Sequence, residues 1–293
     1  MIKKTLVVGT VFFVIYTIFT FSIMPDKYVS QHQWQSNIIT AQKYMYDDMD
    51  SYSNVIIGSS LSNRLVIDSL PKTYNLSFSG QSIYDGLDIL SHKTNLPKNI
   101  FIEMNIALRA KDENFASAVF SPILYYPRKM LPSLRDGKQP IGILGGITSS
   151  IITRPFIEGL KNIFQLNEES TTNVNKKELF SKMLLLEIKN YSQCPSQKTI
   201  NGSFDSLDKL VSQLENRGVN IVFFEIPVNS KLNNLPRAKT IRTAFYNNFP
   251  SSTYTYISMP DSLKFETTDG LHLNEDEALK YTMYLRSKLS KYL

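Results

Sequence analysis

Four short clusters in this 293-residue chain have residue types and spacings that could do chemistry. The first, Gly58-Ser59-Ser60-Leu61-Ser62, follows the β-branched run Asn54–Ile57. A serine at a strand-to-helix turn can point its hydroxyl into a crevice, with its own N–H near the helix start, and Gly58 permits the tight turn. The second, Ser77-Phe78-Ser79-Gly80, ends in a glycine whose backbone N–H a ligand can approach closely. In the third, Glu103-Met104-Asn105, the Asn105 amide could donate to an oxyanion and Glu103 could pair with a basic residue. The fourth is Asp269-Gly270-Leu271-His272. An Asp three residues before a His on a loop can orient the ring and favour its imidazolium form. Taken singly, each cluster has a plainer explanation: Ser62 as a helix cap, Gly80 as a turn glycine, Asn105 as a cap or turn residue. Together they supply a nucleophile (Ser60), a base (His272), an orienting acid (Asp269) and oxyanion donors (Ser60, Gly80 and Asn105). That is the set for acyl transfer through a covalent serine ester.

Each cluster follows a run that reads as a strand. Asn54–Ile57, Thr73–Leu76, Asn99–Met104, Asn220–Ile226 and Tyr254–Ser258 are short, apolar or β-branched, and bounded by Gly, Pro or Asn. Helical spacing falls between them. A helix is expected over about Ser62–Leu70, another over Gln81–Ser91, and an amphipathic one over Phe204–Arg217 with Gly218 at its C-terminal cap. Asn274 caps a last helix, with Glu277 three residues on as in a capping box. Strands alternating with helices imply an α/β fold with a mostly parallel sheet covered on both faces, in which ligands bind beyond the carboxyl ends of the strands.

Composition narrows the function classes. With 42% hydrophobic and 20% charged residues, the chain is ordinary globular protein, not a disordered, collagenous or polytopic one. Cys194 is the sole cysteine, which excludes an internal disulfide framework and any CxxC zinc or redox site; an inert thiol is expected there. Three histidines leave little room for a His-rich metal centre, and His32 and His92 read as surface residues. No metal or dissociable cofactor is expected. The net charge of +6 includes Lys3 and Lys4, and the remainder is too diffuse for a nucleic-acid partner. Arg64 and Arg109 are expected as solvated or ion-paired side chains, with contact to an anionic substrate as the alternative. Tyr125 and Tyr126 could form a sugar-stacking platform, though core or interface packing is the ordinary role of such rings.

Residues Thr5–Pro25 carry no charge, a run long enough for one bilayer core of roughly 30 Å. Lys3 and Lys4 precede it and Asp26 follows, which places the N-terminus in the cytoplasm and the rest outside. The run is too long for a signal-peptide core and lacks a small-x-small cleavage site or a lipoprotein cysteine, so an uncleaved anchor is expected. The uncharged stretch Pro140–Thr153 is too short to span; a core segment is expected, with a membrane-surface helix as the alternative. The organisation read from these signals is an anchor over 1–27, a stalk or entry segment over 28–53, and a domain over 54–293. A long insertion occupies about 107–199 of that domain.

At its four clusters the chain resembles the SGNH (GDSL-like) hydrolase superfamily, whose four blocks supply Ser, Gly, Asn and His. Ser60 matches the nucleophile, Gly80 and Asn105 match the second and third blocks, and Asp269 and His272 match the DxxH of the last. The likeness covers roughly Asn54–Tyr292, apart from the insertion. Two positions depart from the pattern: Ser59 stands where an Asp is expected, and Glu103 where a Gly is expected. Such divergence is similar to the membrane-anchored branch that modifies cell-surface polymers, such as the alginate O-acetylation proteins, the peptidoglycan O-acetyltransferase partner and the teichoic acid D-alanylation protein. The resemblance implies a flavodoxin-like three-layer sandwich behind one transmembrane helix, with its catalytic domain on the extracytoplasmic side. It implies transfer of an acyl group, most simply acetyl, from an acyl donor to a glycan acceptor, alongside a polytopic acyl-exporting membrane protein. A carbohydrate acetyl esterase is the alternative, and an inactive glycan-binding or assembly protein of the same fold is a second.

Overall fold

The computed structural model describes residues 2–22, 32–140, 143, 169–260 and 265–292. The stretch Pro140–Thr153 lies outside the described residues apart from Pro140 and Ile143. The chain forms two compact units, Met1–Asp47 with Asn114–Glu168, and Asp48–Glu113 with Glu169–Leu293.

In the first unit, α1 (Ile2–Ser22) takes in Lys3 and Lys4 and the charge-free run from Thr5 to Ser22. Among the described residues it is the one helix long and apolar enough to cross a membrane, its 19-residue segment Ile2–Thr20 rising about 28 Å with Lys3 and Lys4 in the first turn. Its side chains lie exposed through Ile15 and become covered only towards Thr20. There the Tyr16 hydroxyl donates to the Lys138 carbonyl, and Thr17 Oγ1 lies 3.0 Å from Ser133 Oγ. The stalk region is a helix, α2 (Gln33–Tyr46), whose first turn is capped by His32 Nδ1 accepting from the Gln35 N–H. It buries Ile38, Ile39, Ala41, Tyr44 and Met45, so it packs within its unit and does not stand in solvent. Two short helices follow in the same unit, α5 (Glu113–Val119) and α6 (Tyr125–Met130). Asp136 gathers this unit, accepting from Gln42 Nε2 at 2.6 Å and Arg128 Nη2 at 3.0 Å.

The second unit holds a five-stranded, all-parallel sheet. Its strands are β1 (Asn54–Ile57), β2 (Thr73–Asn75), β3 (Asn99–Glu103), β4 (Asn220–Phe224) and β5 (Thr255–Ile257). They lie in the order β2-β1-β3-β4-β5, a doubly wound order that reverses direction between β1 and β3. β1 and β3 are buried along their whole length, in keeping with their apolar centres Val55–Ile57 and Ile100–Ile102. Alternate residues serve opposite faces. Ile56, Phe101, Val222 and Phe224 join one core with Tyr281 and Leu285 of α10 (Glu275–Leu289).

On the other face Phe223 packs against Phe245 and Phe249, at centroid separations of 5.2 and 4.9 Å. Phe204 of α8 (Gln197–Glu215) meets the same two rings, and Phe245 belongs to α9 (Pro236–Asn248). Phe223 is fully buried, so Phe223→Ala should cost about 3–5 kcal/mol through lost burial and the cavity left behind. Urea melts that show a lower midpoint at unchanged slope would register this.

Helix ends follow the local chemistry. Gly218 has φ 81° just past α8, and the Asn274 side chain accepts from the Glu277 N–H at 2.9 Å at the start of α10. The helix expected over Ser62–Leu70 is a correction. The structure has a four-residue helix, α3 (Ser60–Asn63), and a separate 3-10 turn at Ile67–Ser69. Ser59 and not Ser62 is the cap, its Oγ accepting from the Leu61 N–H at 3.2 Å. The other α-helices among the described residues are α4 (Ile83–Ser91), which starts at a Ser82/Asp85 capping box, and α7 (Glu169–Ser192).

Candidate active site

Ser60 opens α3 immediately beyond β1, at the point where the strand order reverses. Crevices in open parallel sheets form there, outside the carboxyl ends of the strands. His272 arrives from the loop before α10, 212 residues later, and its Nε2 lies 2.8 Å from Ser60 Oγ. Its Nδ1 lies 2.6 Å from Asp269 Oδ2. Hydroxyl, imidazole and carboxylate thus form one continuous hydrogen-bonded relay, with all three side chains partly open to solvent.

The loop that carries Asp269 and His272 is closed on itself. Thr267 and Leu273 form a backbone bridge, and the Thr268 N–H donates to the His272 carbonyl at 2.8 Å. Gly270 sits at φ 106°, a conformation that residues with a Cβ rarely adopt, and its carbonyl accepts from the Asn229 N–H at 2.9 Å. Asp269 Oδ1 accepts from the Leu271 and His272 N–H groups at 2.9 and 2.8 Å. Burial pushes the Asp269 carboxyl up. The His272 ring and these two N–H groups outweigh that and bring its pKa down to about 2. Asp269 is therefore an anion at neutral pH, and a proton on His272 Nδ1 donated to it would leave Nε2 as the acceptor for the Ser60 hydroxyl.

The residues proposed as oxyanion donors flank Ser60 along the sheet, Gly80 after β2 and Asn105 after β3. The turn Ser77–Gly80 is stitched to the turn and helix around Ser60. Phe78 N–H donates to the Gly58 carbonyl at 3.2 Å, Asn63 Nδ2 to the Ser77 carbonyl at 2.8 Å, and Ser79 Oγ to Asn63 Oδ1 at 3.1 Å. Gly80 adopts φ 79° in this turn. The Asn105 carboxamide is clamped to the backbone beyond β4, with Oδ1 accepting from the Ile226 N–H at 2.8 Å and Nδ2 donating to its carbonyl at 2.9 Å. That pairing uses one Nδ2 proton and fixes the plane of the amide, so the second proton has a set direction.

Among the described residues Glu103 pairs with no basic residue, which corrects the expectation from its charge. It is fully buried. Its Oε1 accepts from Ser59 Oγ at 2.8 Å, and Oε2 accepts from Ser59 N–H at 2.9 Å, Ser62 N–H at 3.2 Å and Ser62 Oγ at 2.6 Å. Burial raises its carboxyl above the usual range, against the pull of these four donors. Gly58 is what lets the carboxylate in, since a Cβ there would lie 2.5 Å from Glu103 Oε2.

Two arginines also act on the site from outside it. Arg64 Nη1 donates to the Leu273 carbonyl at 2.8 Å and to Thr268 Oγ1 at 3.2 Å, tying the end of α3 to the loop that carries Asp269 and His272. Arg109 Nη1 donates to the Gln81 carbonyl at 3.1 Å. Their nearness in sequence to Ser60 and Asn105 is the available signal; their targets, two backbone carbonyls and the Thr268 hydroxyl, leave no trace in sequence. Beyond β4 and β5 lies a cleft of about 800 Å³. Asn229, Ser230, Asn233, Phe180, Phe265 and Thr267 are among its lining residues, and Thr267 leads directly into Asp269. Asn233 Oδ1 is buried there without a hydrogen-bond partner. Among the described residues no group of three or more His, Cys, Asp or Glu side chains could hold a metal ion.

Fold and relay together define an α/β protein with a Ser-His-Asp arrangement at the switch point of a parallel sheet. No family model matches the chain, and no curated protein matches it in sequence.

Proposed function

We propose that this chain is a serine-dependent acyltransferase of the SGNH type that moves an acyl group, acetyl in the simplest case, onto a glycan outside the cytoplasm. The observation that carries this is the unbroken relay from Ser60 Oγ through His272 to Asp269, at 2.8 and 2.6 Å. In the first half-reaction His272 Nε2 takes the Ser60 proton as Oγ attacks the ester carbonyl of the donor. The carbonyl electrons collect on oxygen, where the N–H groups of Ser60 and Gly80 and the free Asn105 amide proton receive them. The tetrahedral adduct collapses, the donor's alkoxide leaves with the proton held by His272, and acyl-Ser60 remains. In the second half-reaction His272 takes a proton from the acceptor hydroxyl, which attacks the acyl-serine and restores Ser60. Neither half-reaction changes an oxidation state.

The 800 Å³ cleft beside the catalytic loop supports a large acceptor, since an acetyl group alone needs far less room. Its amide and hydroxyl groups beside Phe180 and Phe265 suit a polyhydroxylated ligand, with ring faces to stack on. Helix α1, uncharged from Thr5 onward with Lys3 and Lys4 in its first turn, supports a single membrane anchor that keeps the domain on the extracytoplasmic side. There it would sit beside a polytopic protein that exports acyl groups. An esterase shares every step up to acyl-Ser60, with water in place of the glycan hydroxyl.

The deciding experiment gives the full-length protein p-nitrophenyl acetate with and without oligosaccharide acceptors, and follows acetyl by mass spectrometry. A transferase places acetyl on sugar at the expense of free acetate. Acetate as the sole product with every acceptor, or release of acetate from acetylated oligosaccharide, identifies the esterase.

A further inference from the structure

We propose that Glu103 is a positioning residue for Ser60, a buried carboxylate from β3 that holds both sides of the nucleophile turn and replaces an acidic side chain at position 59. The proposal rests on the acyl-serine function above. Ser59 and Glu103 are the two positions at which the chain departs from the pattern it resembles, and the structure brings them into contact. Glu103 accepts from both the N–H and the hydroxyl of Ser59. It accepts from the same two groups of Ser62, so the backbone is pinned one residue before Ser60 and two residues after it. Among the described residues Glu103 has no cationic partner; its ligands are these four donors. A buried carboxylate without such donors would be strongly disfavoured, and four buried donors without the carboxylate would each lose a partner. Gly58 completes the device, because any side chain at that position would collide with both Glu103 Oε2 and Ser62 Oγ at 2.5 Å.

The exchange can be reversed experimentally. Full-length wild type, Ser59→Asp, Glu103→Gly and the Ser59→Asp/Glu103→Gly double variant are compared by thermal midpoint and by the rate at which a fluorophosphonate probe labels the folded protein. Ser59→Asp sets two carboxylates in one buried site, and Glu103→Gly releases the turn. Each is expected to slow labelling by about 10²-fold or more, the scale set by a misplacement of roughly 1 Å. The double variant restores the acid on the turn and should recover most of both losses.

Glu103→Gln covers the case where a single variant does not fold. Its amide oxygen can replace Oε2 and its NH₂ can donate to Ser59 Oγ, so labelling within about tenfold of wild type is expected. Folded Glu103→Gly labelled at the wild-type rate would overturn the proposal, as would losses that simply multiply in the double variant. Glu103→Gln that folds normally yet loses labelling would overturn it too. A wild-type protein that takes no label contradicts the acyl-serine function itself, which is a separate result from a labelled wild type with an indifferent Glu103.

Discussion

Ser60→Ala is expected to reduce p-nitrophenyl acetate turnover by the full-length protein to the rate in buffer. His272→Ala leaves the hydroxyl in place but removes the base 2.8 Å from it, and should lose about 10²–10⁴-fold. Combining the two should cost no more than Ser60→Ala alone, because both act in one proton transfer and residues of such a unit are not additive. Both side chains are partly exposed, so thermal midpoints should move by only a few degrees. Assays by initial rate beside circular-dichroism melts separate a lost reaction from a lost fold.

The second large effect belongs to Asp269. Asp269→Asn can keep the hydrogen bonds from the Leu271 and His272 N–H groups through its remaining oxygen. Its NH₂ would then face His272 Nδ1 as a donor, and the ring would be driven to the tautomer with hydrogen on Nε2. That ring cannot accept the Ser60 proton, so turnover should fall by about 10⁴-fold with the loop intact. The pH dependence of stability has a definite sign. The folded pKa of Asp269, about 2, is below the ordinary 3.8. The stability contributed by the Asp269 carboxylate is therefore fully present above about pH 4 and lost as pH falls through about 2. The difference in thermal midpoint between wild type and Asp269→Asn should shrink as pH falls through that window.

Much of the sheet can be read from sequence because its strands are buried on both faces. Val55–Ile57 and Ile100–Ile102 are apolar without alternation, and only a covered parallel strand tolerates that. Helices with one strong apolar stripe are equally plain, as in Leu207, Val211 and Leu214 of α8. The length of α3 is not, since residues 60–70 carry helix-compatible types and the chain turns away for tertiary reasons after Asn63. Arg64, which reaches across to Leu273, is among them. Ser60, Asp269 and His272 stand out because each sits just past a strand or before a capped helix, with few competing histidines. Glu103 was misjudged from its charge. A carboxylate more often seeks a cation, and nothing in the spacing of residues 59, 62 and 103 reveals that two serines and their N–H groups take its place. The buried face of α2 was obscured in the same way, because polar residues outnumber the apolar ones that it packs.

The central claim is that Ser60 is an activated nucleophile, and covalent site mapping tests it most directly. Full-length protein is treated with a fluorophosphonate, digested, and the adduct located by mass spectrometry. The relay predicts the adduct on Ser60, formed in wild type and lost in His272→Ala. An adduct on Ser59 or Ser62, or an unmodified Ser60 in folded wild-type protein, would contradict it.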